Sequence, residues 1–415
     1  MRQSKQSRIL LMVILYGTMF LFGFLENIKG VSYPLIKNEF TVSYETQGKM
    51  ISVLSFSYTL FVVVSGFILG RYGVKKVYLF GLLCALGGVF SIYFMPGFWT
   101  AALSLLLLFA GFGVFEIGVN GVATQIFTEK GALMMSLLHF MYGLGAIISP
   151  KAAGILADPA GAALGWRQMY LLTVPLVLLI LVPAIFTRFP AAKDAAQSNA
   201  PDAAKGSVPN TGNVPRFGFT AALRTSAVWA FGITLGLMMG IEMASSNWGG
   251  LYFQDVYGMN PATSGANFVS AFFLLFTLSR LVSGFIIERA GYMRSLVGAA
   301  AIAAAIFIAG FALGARGIYV LPAAGFFIAV WWPTFMAFAM GRFGERAPVM
   351  CSAVIAIGGL LNAGMQLAMG YINRYAGAAW GYRSCLGFSL ILLCVLPGVN
   401  KLRIQKETGA PPQKR

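Results

Sequence analysis

Apolar residues in this chain run in long stretches, interrupted by short polar segments. Twelve such stretches can be marked, at about residues 9–35, 48–69, 77–96, 101–126, 133–156, 168–187, 226–251, 263–287, 294–314, 318–341, 348–372 and 380–399. A helix needs about 20 apolar residues to cross the hydrocarbon core of a bilayer. Backbone N–H and C=O groups cannot stay unpaired there, so each stretch is expected to be a helix. The alternating strands of a membrane barrel are absent from the pattern. The expected fold is therefore an all-α membrane protein with 12 transmembrane helices.

The only long polar segment, 188–225, is rich in Ala, Pro, Asn and Ser. Such a composition buries too little apolar surface to order itself. It reads as a cytoplasmic linker between a six-helix bundle at 1–187 and a second at 226–415, the latter ending in a short tail. The two halves carry related sequence. SGFILGRYGVKKV from Ser65 matches SGFIIERAGYMRS from Ser283, at an offset of 218. Glu26 pairs with Glu242, Gly143 with Gly359 and Gly154 with Gly370, each at 216. Duplicated bundles of this kind place a solute site near the membrane midplane, between the repeats.

Composition narrows the class further. Of 415 residues 58% are hydrophobic and only 10% charged, against about 25% charged in soluble domains. This excludes a cytosolic enzyme, a disordered chain and a small disulfide scaffold. The net charge of +17 is dispersed, with no basic, aromatic-laced face, so no nucleic-acid partner is expected. With the N-terminus placed inside, 21 of the 30 Lys and Arg fall on the inner side and 7 on the outer, while Lys151 and Arg280 lie within spans. That bias places both termini in the cytoplasm, with a bacterial inner membrane as the expected location and anionic lipid headgroups as neighbours of the basic residues. The run from Ile9 to Leu25 lacks a small-residue cleavage site and reads as a retained first helix. Cys84, Cys351, Cys385 and Cys394 sit in apolar runs and read as small core hydrophobes. No Walker A loop and no channel filter motif occur, and a lone histidine without clustered Cys or acids makes no zinc site. The expected partners are therefore a small-molecule substrate, a proton and the bilayer, with no cofactor or metal and a monomeric protein.

Candidate chemistry sits on the charges inside the spans. Among 13 acids only Glu26, Glu116 and Glu242 fall within them. A charge at a helix centre costs about 2.5–3.5 kcal/mol on insertion scales, so residues kept there are site candidates. Glu116 has Asn120 four residues on, on the same face. The carboxyl can carry a proton, and the amide can both donate to and accept from a ligand hydroxyl. Glu26 adjoins Asn27 and can pair with Lys29 at i,i+3, as a structural ion pair or as a second proton or substrate group gated by Lys29. Glu242 with Asn247 and Trp248 forms a polar, aromatic patch, and a Trp face can stack on a sugar ring. His139 can titrate or bond within the bundle. Asn362 and Gln366 share a face and suit polyol hydroxyls. Lys29 and Lys151 could hold an anion. Arg280, with Arg71, Glu288 and Arg289, reads as a cytoplasmic latch between helices. Trp331 and Trp332 precede Pro333, where a bend is expected.

These residues resemble a known family. Gly66–Lys76 is similar to the GxLaDrxGrk motif of the major facilitator superfamily, with Gly70 at the Asp position. The second copy keeps an acid at Glu288, followed by Arg289 and Gly291. Within the superfamily, GFGVFEIGVNGVATQIF resembles the E-x-x-x-N signature of the fucose:proton symporter family through Glu116 and Asn120. LLHFMYGLGAIISP is similar to its N-x-x-x-G-x-G-A-x-x-x-P pattern through Gly143, Gly145, Ala146 and Pro150. GIEMASSNWGGLYF and Pro333–Thr334 match further segments, while the family's first-span acid would fall near Gly30, one turn beyond Glu26. The resemblance implies two pseudo-symmetric six-helix bundles working by alternating access. It implies proton coupling through Glu116 and Glu26 and transport of a sugar or sugar derivative. An organic anion or sugar acid held by Lys29 and Lys151, and proton-driven export of amphipathic molecules, stand as alternatives. A membrane-embedded acyltransferase using His139 is a remote one.

Overall fold

The computed structural model describes residues 5–127, 131–158, 164–189 and 218–402, and no strand occurs among them. Most of the linker and the tail beyond Leu402 lie outside the described residues, as does Lys130. The first crossing is made by α1 (Lys5–Asn27) and α2 (Lys29–Glu39), which meet at Ile28. Then come α3 (Tyr44–Tyr72), α4 (Val74–Ser91), α5 (Phe98–Ile126) and α6 (Gly131–Ala157). The short α7 (Trp166–Leu171) and α8 (Val174–Phe186) form the next crossing. After α9 (Phe219–Leu223) follow α10 (Ser226–Tyr257), α11 (Ala266–Ala290) and α12 (Tyr292–Ala312). The chain then passes through α13 (Ala324–Ile328), α14 (Trp331–Phe343), α15 (Ala347–Ala376) and α16 (Trp380–Lys401).

Among the described residues, 11 helical stretches are long and apolar enough to cross a membrane. Ten match one expected span each. The eleventh, Gly314–Ala376, is 63 residues long and breaks at Gly344, whose φ of +54° suits glycine alone. It holds the two expected spans 318–341 and 348–372. The bend expected at Pro333 falls just before it, at Ala329 and Val330, between α13 and α14. Large apolar side chains such as Phe67, Phe186 and Phe285 are 68%, 81% and 74% exposed, a distribution suited to lipid rather than water. Cys84, Cys351 and Cys385 are buried as expected, but Cys394 is exposed on the outer face of α16.

The sequence repeat recurs in the packing. Gly73 and Gly291 both end their helices with positive φ, +79° and +84°. On α6, a Cβ at Gly143 would sit 2.4 Å from Thr277 Oγ1 on α11, and on α15 a Cβ at Gly359 would sit 2.3 Å from Thr59 Oγ1 on α3. Thr59 and Thr277 are equivalent at the same 218-residue offset. Lower on the same helices, Gly154 presses on Ala262 and Ala266, and Gly370 presses on Tyr44 and Gly48. Small residues let the helix backbones approach closely, which is how helices associate where no hydrophobic drive exists between them. Helices α3 and α6 thus each lean on a partner from the other repeat.

Polar contacts close one end of these crossings. Asp255 at the end of α10 pairs with Lys37 at 3.3 Å and accepts from the Tyr44 hydroxyl. Gln254 donates to Asn38 at 3.1 Å. At the opposite end, where α3 meets α4 and α11 meets α12, Arg71, Glu288 and Arg289 are exposed and form no ion pair among the described residues. The expected latch is therefore not engaged, and a cavity opens toward that end.

Candidate functional site

A cavity of about 780 Å³ runs between the two repeats from Tyr33 and Asn247 to Glu288 and Tyr292. It brings together most of the charges expected inside the spans: Glu26, Lys29, Glu116, His139, Glu242 and Arg280. Asn120, Asn247 and Asn362 add amide groups to its wall.

Each side chain is placed by local helix structure. The junction at Ile28 lets Glu26 and Lys29 meet at i,i+3, with Lys29 Nζ 3.2 Å from Glu26 Oε1. The pair is buried, its side chains 11% and 3% exposed. Glu26 Oε2 accepts from the Tyr142 hydroxyl at 2.6 Å, and Lys29 Nζ lies 5.7 Å from the centroid of the Phe109 ring. A buried ion pair endures only when its remaining polar atoms are bonded, and Tyr142 supplies that bond. On α5, Asn120 Nδ2 donates to the Glu116 backbone oxygen at 2.6 Å and reaches Glu116 Oε1 at 3.4 Å. Asn120 Oδ1 has no partner among the described residues. Among the described residues neither Glu116 nor Glu242 has a cation within ion-pair distance.

Several expected site residues lie behind the wall rather than on it. Trp248 is 1% exposed and donates from Nε1 to Gln366 Oε1 at 3.0 Å, so its ring packs in the core and cannot stack on a ligand in this cavity. Gln366 is wholly buried. Its Oε1 also accepts from Asn247 at 3.1 Å, and its Nε2 donates to Asn362 at 3.2 Å and to the Gly240 carbonyl at 3.3 Å. It braces the two asparagines that do face the cavity. Asn27 points back along α1, donating to the Gly23 carbonyl at 2.9 Å. Lys151 is exposed and donates to Asn267 at 2.5 Å, away from the cavity.

Arg280 differs most from expectation. The sequence reading puts it in a latch, yet it lines the cavity with its guanidinium 4.6 Å from the centroid of the Phe276 ring. Glu116, Glu242 and His139 all lie within its electrostatic reach. Trp332, beside Pro333, lines the cavity, as do Tyr58, Tyr142 and Thr277, which the sequence pattern does not mark as site residues. For Tyr142 a signal exists, since it directly precedes Gly143 of the glycine pattern on α6. No cluster of three or more metal-ligating side chains occurs among the described residues.

Comparison with known proteins agrees with this architecture. The sequence profile of the Major Facilitator Superfamily matches residues 15–351. The L-fucose-proton symporter of Escherichia coli (strain K12) is 23% identical over 416 aligned residues, covering 90% of this chain and 89% of the relative. Its crystal structure in the outward conformation superposes with a TM-score of 0.60 at 18% identity, covering 95% of this chain and 99% of that one. The nucleoside transporter NupG superposes with a TM-score of 0.71 at 14% identity, over 96% and 100% of the two chains.

Proposed function

This chain belongs to the major facilitator superfamily, and on that premise we propose that it is a proton-coupled symporter of a small polar solute, a sugar or sugar derivative, working by alternating access. It is a multi-pass membrane transporter and not an enzyme, which sets aside the acyltransferase reading of His139. The observation that carries the proposal is Glu116 with Asn120 on the wall of a cavity between the repeats. An acid in that position can exchange a proton with whichever side the cavity faces. The amides of Asn120, Asn247 and Asn362 suit solute hydroxyls. The relative named for L-fucose and proton symport supports the same reading.

In the proposed cycle the bundles 1–187 and 226–415 rock about the cavity. Protonated Glu116 accompanies solute binding from outside, while Glu26 keeps its pairing with Lys29. The end bearing Arg71, Glu288 and Arg289 is the cytoplasmic one by its excess of positive residues. Loss of the proton to the more alkaline cytoplasm promotes release. The test is Glu116→Gln in proteoliposomes. Solute exchange should persist, while accumulation driven by a proton gradient should disappear. Undiminished proton-driven accumulation in this variant would refute the assignment.

A further inference from the structure

Arg280 is the cavity's only Lys or Arg without an ion pair among the described residues. The other, Lys29, is neutralised by Glu26 at 3.2 Å. Lys151, the second cation that could have served an anion, is turned away to Asn267. Arg280 Nε is buried and has no hydrogen-bond partner among the described residues. A guanidinium kept in a membrane span without a carboxylate at hydrogen-bond distance has a strong unmet demand for an oxyanion. Its planar fork matches a carboxylate at two points.

The rest of the cavity says what else such a ligand should carry. Asn120 Oδ1, Asn247 Oδ1, Thr277 Oγ1 and Thr334 Oγ1 are likewise unpartnered among the described residues, and all four residues line the same cavity. Amide oxygens ask for donors, and threonine hydroxyls can serve as donor or acceptor. Ligand hydroxyls satisfy both. We propose that the solute is a polyhydroxylated monocarboxylate of the sugar-acid class, with its carboxylate forked onto Arg280 and its hydroxyls on this amide and threonine set. This deepens the symport reading and rests on it.

The charges around Arg280 couple this binding to protons. From α1 and α2 the cavity presents Glu26 and Lys29, which cancel, and from α5 and α10 it presents Glu116 and Glu242. His139 faces in from α6 and exposed Glu288 stands near the mouth on α11, and the phenols of Tyr33, Tyr58, Tyr142 and Tyr292 complete the titratable lining. With Glu116 and Glu242 ionised, the centre around Arg280 is negative and repels an anion. With both protonated, Arg280 leaves it positive. The solute's charge and the proton load therefore favour each other.

The purified full-length protein in detergent can be titrated with galacturonate and with galactose, which differ in a carboxylate, following the change in intrinsic tryptophan fluorescence, to which Trp332 on the cavity wall contributes. Galacturonate should bind at least about tenfold more tightly than galactose at acid pH, and lose that advantage as rising pH ionises Glu116 and Glu242. Arg280→Gln should remove the preference, and Arg280→Lys should restore part of it. A variant that unfolds does not affect the comparison of the two sugars on the unmodified protein. Equal binding of both sugars, binding of neither, or an unchanged preference in Arg280→Gln would overturn the assignment. Proton-driven accumulation of galactose that Glu116→Gln abolishes would leave the symport reading intact while overturning this one.

Discussion

Glu26 shows how one residue's surroundings decide between a structural and a coupling role. Its carboxylate is held on one side by Lys29 at 3.2 Å and on the other by the Tyr142 hydroxyl at 2.6 Å. Removing one member of a buried pair strands the other charge, which costs more than the pair contributes. Lys29→Met should therefore lower the stability of the purified protein by about 3 kcal/mol, read as a fall in its melting temperature. Adding Glu26→Gln to that variant should recover most of the loss. At this scale the sequence was informative about depth and uninformative about direction. Glu26, Glu116 and Glu242 could be singled out because ionisable groups are costly in a span. Trp248, Gln366 and Lys151 looked equally polar or aromatic, but hydropathy does not say whether a side chain on a buried helix faces a cavity or a neighbouring helix. Gln366 illustrates this, because its amide is consumed by Asn247, Trp248, Asn362 and the Gly240 carbonyl.

Helices were legible in the sequence to within a few residues at most ends, because the alternation of apolar run and short polar loop is imposed by the bilayer itself. Their contacts were legible only in part. The glycine pairs at an offset of 216 pointed to equivalent positions in α6 and α15, but not to the threonines they meet. Gly143 against Thr277 and Gly359 against Thr59 depend on two helices crossing, which no local pattern encodes. A Cβ at Gly143 would lie 2.4 Å from Thr277 Oγ1. Gly143→Ala is expected to cost about 1–3 kcal/mol through overpacking, measured by thermal unfolding. Combining it with Thr277→Ala should restore stability, because the obstructing atom is a side chain rather than backbone. The same logic explains the bend at Ala329 and Val330. The sequence offered Pro333 as the cause, and the helix resumes at Trp331 so that Pro333 falls in the first turn of α14, where its missing N–H costs nothing.

Across the whole molecule, one end is drawn together and the other is parted. Asp255 ties α10 to Lys37 and Tyr44, and Gly48 lies against Gly370. At the far end Arg71, Glu288 and Arg289 stand apart, and the cavity reaches Glu288. In the proposed cycle this is the inward-facing member of a pair of states, and Glu116 would reach cytoplasmic water through the cavity. Coupling in this cycle turns on that acid gaining and losing a proton. Difference infrared spectroscopy of the protein in lipid, across a step in pH, observes the carbonyl stretch of a protonated carboxyl directly and needs no solute. A band should grow as pH falls and be missing from Glu116→Gln. Superimposable spectra from the two proteins would contradict it.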